Sequence, residues 1–248
     1  MRALALDFDG VLCDSAREAF AVALRTYRRV ISRELARDEA DEALFAEFLA
    51  LMPLGNRAED YAIALAALAR GRALEDQAAY DAFRRELDPQ ALRAFHKQFY
   101  RERAAWLERD PAGWHALMRP YPGLCELLRS RAGQVELWIA TAKDRRSVRE
   151  LLGHYRIADL FPEHAVLDKE TAVAKREHVR LIADRAGVPT AEVTFVDDKV
   201  NHLEDVAEIG ARCVLAAWGY NGPRERQIAN ARGFLVCELG DLEARVFS

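Results

Sequence analysis

Apolar residues recur with three different spacings along the chain. The stretch Ala3 to Phe8 is apolar except for Asp7 and stops at Asp9-Gly10. A short apolar run closed by a turn signal predicts a buried strand and then a loop. From about Ser15 to Arg119, apolar positions recur at helical spacing among Ala, Glu and Arg. That stretch predicts four or five helices and no strand. Ser15-Ala16-Arg17-Glu18 has the spacing of a capping box, and Asp88-Pro89 sets Pro at the first position of another helix.

From Tyr121 onward the pattern alternates between strand and helix. Strands are predicted at 135–140, near 165–167, at 193–196 and at 212–216. Helices are predicted at 144–153, at 171–186 (stopped by Gly187-Val188-Pro189) and at 200–209 (stopped by Gly210). Alternating strands and helices imply a parallel sheet with helices on both faces and ligands at the C-terminal strand ends. The fold class expected is therefore α/β: a Rossmann-like, doubly wound parallel sheet core with an inserted all-helical domain. The core takes 1–14 and 120–248, and the helical insertion takes 15–119. An insertion at the C-terminal end of the first strand is placed to act as a lid over a ligand site.

Composition narrows the partners. Hydrophobic residues make up 51% of the 248 and charged residues 31%, as expected of a folded soluble chain rather than a disordered one. A formal net charge of −4, with Lys and Arg interleaved among Asp and Glu, gives no reason to expect nucleic acid or an anionic membrane as a partner. No apolar run is long enough for a signal peptide or a membrane span. Cys13, Cys125, Cys213 and Cys237 are scattered without CxxC spacing, so neither a zinc site nor a disulfide framework is expected, and a cytoplasmic setting is the simplest reading. No feature fixes an oligomeric state.

Four polar groups sit just past predicted strand ends. Asp7 and Asp9 alternate at n and n+2, with Gly10 permitting a sharp exit. Thr141 follows the 135–140 strand. A lysine, Lys175 or else Lys169, stands near the start of the next helix. Asp197-Asp198 directly follows the 193–196 strand. Carboxylates converging on one point repel unless a cation shares the site, and a hard divalent ion, Mg2+, suits oxygen ligands beside a phosphate. A lysine and a hydroxyl complete a cradle for a dianion.

In this order the motifs resemble those of the haloacid dehalogenase superfamily. Asp7-Phe8-Asp9-Gly10-Val11 is similar to its first motif and Leu137-Trp138-Ile139-Ala140-Thr141 to its second; Lys175, 23 positions before Asp198, suits the third and fourth. The resemblance implies roles. Asp7 would attack phosphorus and carry an aspartyl-phosphate, and Asp9 would act as acid and then base. Thr141 and Lys175 would hold the phosphoryl oxygens. Asp7, the backbone carbonyl of Asp9 and Asp198 would bind magnesium, with Asp197 a ligand or an orienting group. A carboxylate at position 9 also disfavours the dehalogenases of the superfamily, which generally lack one there.

The insertion resembles the helical type-one cap of phosphoglycolate phosphatase and β-phosphoglucomutase relatives, although it is longer than usual. Its break at 51–60 matches the loop that reads the substrate in such relatives, which implies Arg57 as a second anion clamp aided by Asn56. Thr141-Ala142-Lys143 and Trp218-Gly219-Tyr220-Asn221 resemble further stretches of phosphoglycolate phosphatases, which adds Ala142 and Lys143 as substrate-binding positions. His202 reads as a surface or packing residue. The expected activity is hydrolysis of a small phosphorylated metabolite. A phosphomutase of the same chemistry and a non-catalytic binding protein are the alternatives.

Overall fold

The computed structural model describes residues 1–32, 35, 37–55 and 57–247. They divide into two compact units, Met1–Asp14 with Arg119–Ser248, and Ser15–Met118.

The first unit is built on β1 (Ala3–Leu6), β2 (Cys13–Asp14), β3 (Arg119–Pro120), β4 (Glu136–Ala140), β5 (Val166–Leu167), β6 (Val193–Asp197), β7 (Arg212–Ala216) and β8 (Leu235–Cys237). Six of these form one sheet in the order β5-β4-β1-β6-β7-β8, every neighbouring pair parallel. Numbered by their appearance along the chain, those strands lie 3-2-1-4-5-6, the doubly wound Rossmann order, whose direction reverses between β1 and β6. β2 and β3 pair antiparallel as a separate ribbon, through which the chain leaves and re-enters this unit.

β1 is central because both of its faces are apolar. Side chains alternate across a strand, so Ala3 and Ala5 face one side while Leu4 and Leu6 face the other, and all four are fully buried. On the alanine side they join one core with Val179 and Ile182 of α9 (Lys175–Ala186), Leu203 and Val206 of α10 (Val200–Ala207) and Ala229 of α11 (Pro223–Ala231). Small residues on β1 let α9 approach closely, and a larger side chain at Ala5 would overpack that layer at a cost of about 1–3 kcal/mol. α7 (Leu124–Arg131), α8 (Arg145–His154) and α12 (Leu242–Val246) bury their own apolar sides through Leu128, Leu151 and Leu242.

The second unit is all helical: α1 (Ala16–Val30), α2 (Glu42–Leu51), α3 (Ala58–Ala69), α4 (Gln77–Glu86), α5 (Pro89–Arg109) and α6 (Pro111–Ala116). That is six helices among the described residues, where the spacing predicted four or five. Phe20, Phe48, Tyr61 and Phe99 pack in sequence through its middle as tilted rings, each centroid 5.3–5.6 Å from the next. The capping box expected at Ser15–Glu18 does not form. The Ser15 side chain makes no cap bond, and Glu18 is fully buried instead. Its carboxylate accepts two hydrogen bonds from Arg103, both 2.7 Å, and one of 3.1 Å from the indole of Trp114. A bidentate guanidinium in the interior outcompetes the local cap. No helix among the described residues is long and apolar enough to cross a membrane.

Candidate active site

The crevice outside the β1–β6 reversal is where a doubly wound sheet binds its ligand. The register pairs Leu6 with Ile139 on one side and Val196 on the other, so Asp7 emerges between Ala140 and Asp197. The backbone N–H of Asp7 donates to Val196 (2.9 Å), which extends the sheet by one residue and fixes where the carboxylate begins. Its Oδ1 accepts from the Phe8 N–H at 2.7 Å.

Lys175, the first residue of α9, ties the strand ends together. Its buried ammonium donates to the Ala140 carbonyl at 2.6 Å and lies 3.0 Å from Asp7 Oδ1 and 3.4 Å from Asp197 Oδ2. Burial alone would lower the pKa of this lysine, but Asp7 and Asp197 outweigh it and raise the value. The Lys169 ammonium instead lies 3.9 Å from Glu170. Burial raises the pKa of Asp7, Lys175 opposes the shift, and Asp197 adds to it.

The two consecutive aspartates at the end of β6 differ sharply. Asp197 is saturated with donors. Besides Lys175, it accepts from the Lys199 N–H at 2.8 Å and lies 3.0 Å from His202 Nδ1. Burial would raise its pKa, but His202 and Lys175 hold it down at about 2. Asp198 is equally buried, yet only Oδ2 has a donor, the Tyr220 N–H at 2.8 Å; Oδ1 has no hydrogen-bond partner. Burial pushes its pKa up to about 7, Lys199 opposes, and Asp197 and Asp7 add to the rise.

A loop after β7 wraps Asp198. Lys199 Nζ donates to the Tyr220 carbonyl (3.2 Å), the Tyr220 hydroxyl to Asp14 (3.0 Å), Asn221 to the Ala216 carbonyl (2.8 Å) and the Trp218 indole to the Val11 carbonyl (3.0 Å). Glycine is required where the loops meet. At Gly10, with φ +81°, a Cβ would lie 2.6 Å from Asp198 Oδ2, and at Gly219 it would collide with the Asp198 side chain and the Gly10 carbonyl.

Past β4, Thr141 is buried and its Oγ1 accepts from the Lys143 N–H at 3.1 Å, while Ala142 is exposed. The Lys143 side chain turns inward, fully buried, and its ammonium reaches Asp9 at 3.0 and 3.4 Å. Arg57, in the helical unit, is exposed and precedes α3; its N–H donates to Asp60 at 3.0 Å. Asn56 lies outside the described residues.

His202 is not the plain packing residue that the sequence suggests, since it contacts Asp197. Its place in the first turn of α10, close behind the two aspartates, was the available signal. Tyr220 lies in the 218–221 stretch that the resemblance marks, but its contacts with Asp198 and Lys199 were not legible, because they join segments about twenty residues apart.

The fold and crevice define an α/β protein of doubly wound, Rossmann-like topology, with acidic groups and one bridging lysine at the strand switch point. The haloacid dehalogenase-like hydrolase family matches residues 1–210, and the chain belongs to that family. No curated protein matches the sequence. Among solved structures, the chain is similar to one described as a predicted phosphoglycolate phosphatase from Haemophilus somnus, with a TM-score of 0.68 and 19% identity, covering 98% of this chain and 97% of that one. It is also similar to a predicted phosphatase from Clostridium acetobutylicum (TM-score 0.66, 13% identity, 99% and 98% covered). A haloacid dehalogenase-like hydrolase from Streptococcus pneumoniae gives a TM-score of 0.62 at 16% identity, with 100% and 98% covered. At such identities these likenesses show a shared fold.

Proposed function

We propose that the chain is a magnesium-dependent phosphatase that hydrolyses a small phosphorylated metabolite through an aspartyl-phosphate on Asp7. The observation that carries the reading is Asp198 Oδ1, a carboxylate oxygen buried without a partner in the same crevice as Asp7. Such an orphan is costly unless a cation takes it up. Magnesium fits the set: Asp7, the Asp9 carbonyl and Asp198 would hold it, and when bound it supplies charge compensation for phosphoryl oxygens. Asp7, Asp197 and His202 also bring potential ligand atoms within 4.8 Å of one another. Asp197, already engaged by Lys175, His202 and a backbone N–H, suits an orienting role better.

Each step then falls to a residue of this chain. Asp7 attacks phosphorus in line, forming the P–O bond to its carboxylate as the ester P–O bond breaks. Asp9 gives its proton to the leaving alkoxide, then takes one from the water that cleaves the acyl phosphate, releasing inorganic phosphate and regenerating Asp7. Lys175 and Thr141 offset charge on the transferring oxygens. The helical unit is the proposed cap, with Arg57 reading the distal end of the substrate. The neighbours described as phosphatases support the same reading.

The test is a screen of phosphorylated metabolites for Mg2+-dependent phosphate release, run beside Asp7→Asn and Asp9→Asn. Release by the wild type that vanishes in Asp7→Asn is the expected result. Activity surviving Asp7→Asn overturns the nucleophile assignment, and isomerisation without phosphate release favours a phosphomutase.

A further inference from the structure

The helical unit carries a cleft of about 680 Å³ where the end of α4, the turn after it and the first half of α5 meet α3. Its apolar lining is Leu87, Pro89 and Leu92, and Leu92 is buried. Around it stand Arg84, Arg85, Arg93 and Lys97, against the single carboxylate of Glu59. That carboxylate is engaged by His96 Nδ1 at 2.8 Å, and Arg84 lies no nearer than 3.8 Å to Asp60. Arg85, Arg93 and Lys97 form no ion pair with any described residue.

Arg70, Arg101 and Arg109 are likewise exposed without an ion pair among the described residues, and what distinguishes Arg85, Arg93 and Lys97 is that all three line one cleft with an apolar floor. Arg93 and Lys97 are spaced i, i+4 on one helix, where like charges repel. A solvated helix face needs neither that repulsion nor an apolar floor. The cleft volume also lies in the roughly 300–1,000 Å³ range of small-molecule sites.

We propose that this cleft binds a small organic anion. Its apolar body rests on Leu87, Pro89 and Leu92, and its carboxylate, sulfonate or phosphate head is held by Arg85, Arg93 and Lys97. Guanidinium groups suit such heads because their planar fork matches two acceptor oxygens. The floor rejects fully hydrophilic ions such as inorganic phosphate, and the cations reject neutral apolar molecules.

The probe is 1-anilinonaphthalene-8-sulfonate, an aromatic sulfonate that is not a phosphoester, titrated by fluorescence into the whole protein. One saturable site is expected, weakened at least tenfold by Arg85→Glu and by Arg93→Glu/Lys97→Glu in variants whose melting curves match the wild type. The imidazole NMR signal of His96, assigned with His96→Gln, is expected to shift over the same concentration range. Equal affinity in wild type and charge-reversed variants, or a His96 signal that stays still during saturation, overturns the proposal. Equally tight binding of neutral N-phenyl-1-naphthylamine overturns the head-group assignment.

Discussion

The ammonium of Lys143 lies 3.0 Å from Asp9 Oδ1, at the end of a side chain with no exposed surface. This pair joins the loop after β1 to the loop after β4, and it fixes the direction of a carboxylate that is itself partly exposed. Lys143→Ala is expected to lower kcat for phosphoester hydrolysis by roughly tenfold or more, part of the ~10²–10⁴ that an acid/base group contributes. In an Asp9→Asn background the same substitution is expected to cost little further, because the two act as a unit. Steady-state kinetics on the four proteins of the cycle checks this. Independent, multiplying losses would separate their roles.

Asp198 ties a stability prediction to pH. Its folded carboxyl titrates near 7, well above the unfolded value of about 3.9. The fold therefore binds a proton that the unfolded chain has lost, and this group's contribution to stability falls as pH rises from about 4 through about 7. Metal-free Asp198→Asn is expected to melt above metal-free wild type at pH 8, with a gap of a few degrees at roughly 2–4 °C per kcal/mol. The gap should close towards pH 4, and phosphatase activity should be lost throughout. Thermal melts in chelator at the two pH values read it directly.

His178 has the opposite slope. Burial, chiefly, with Lys175 adding to it, pushes its pKa down to about 4, and its Nε2 lies 3.1 Å from the Asp168 carbonyl. The fold holds this ring neutral, so its contribution is complete above about 6.5 and is lost as pH falls towards 4, amounting to about 3 kcal/mol. His178→Gln keeps a donor for the carbonyl and removes the titration. Its stability is expected to change less than that of the wild type between pH 6.5 and 4.5 in urea titrations.

Asp60 braces the start of α3. It is buried, one oxygen accepts from the Tyr80 hydroxyl at 2.5 Å, and the other accepts from the Arg57 N–H. Tyr80→Phe leaves a buried acceptor short of its donor, at a cost of about 1–3 kcal/mol. If Arg57 reads the substrate, Arg57→Ala raises KM for the natural substrate while leaving generic aryl-phosphate hydrolysis intact. Tyr80→Phe is expected to move KM the same way by a smaller factor. Equal losses on both substrates would argue against a specificity role.

Asp7, Thr141, Lys175 and the Asp197-Asp198 pair were legible in the sequence because each follows a run whose period reveals a strand or begins a helix. The division of labour within Asp197-Asp198 was not. It depends on which carboxylate meets Lys175, His202 and the Lys199 N–H, and those meetings are made by tertiary packing. The Glu18 capping signal failed for a related reason, since a local pattern cannot show an arginine eighty-five positions away. Helix α9 begins at Lys175 rather than near Thr171, because the Thr171 hydroxyl turns back to Asp168. β8 went unpredicted; three residues give no period to read.

β1, the central strand of the sheet, precedes all of its sheet partners along the chain. Leu4 pairs with Leu137 and with Thr194, so it has no sheet partner until most of the chain exists. The helices of 15–118 contact one another locally and can form in the meantime. Folding must then hold the apolar β1 segment unsatisfied across the whole helical insertion, which makes the sheet a high-contact-order, late-closing structure. Refolding should show an early helical phase and a slower one in which β1 is captured. In that interval the exposed apolar run Ala3–Leu6 is the segment most open to misassociation.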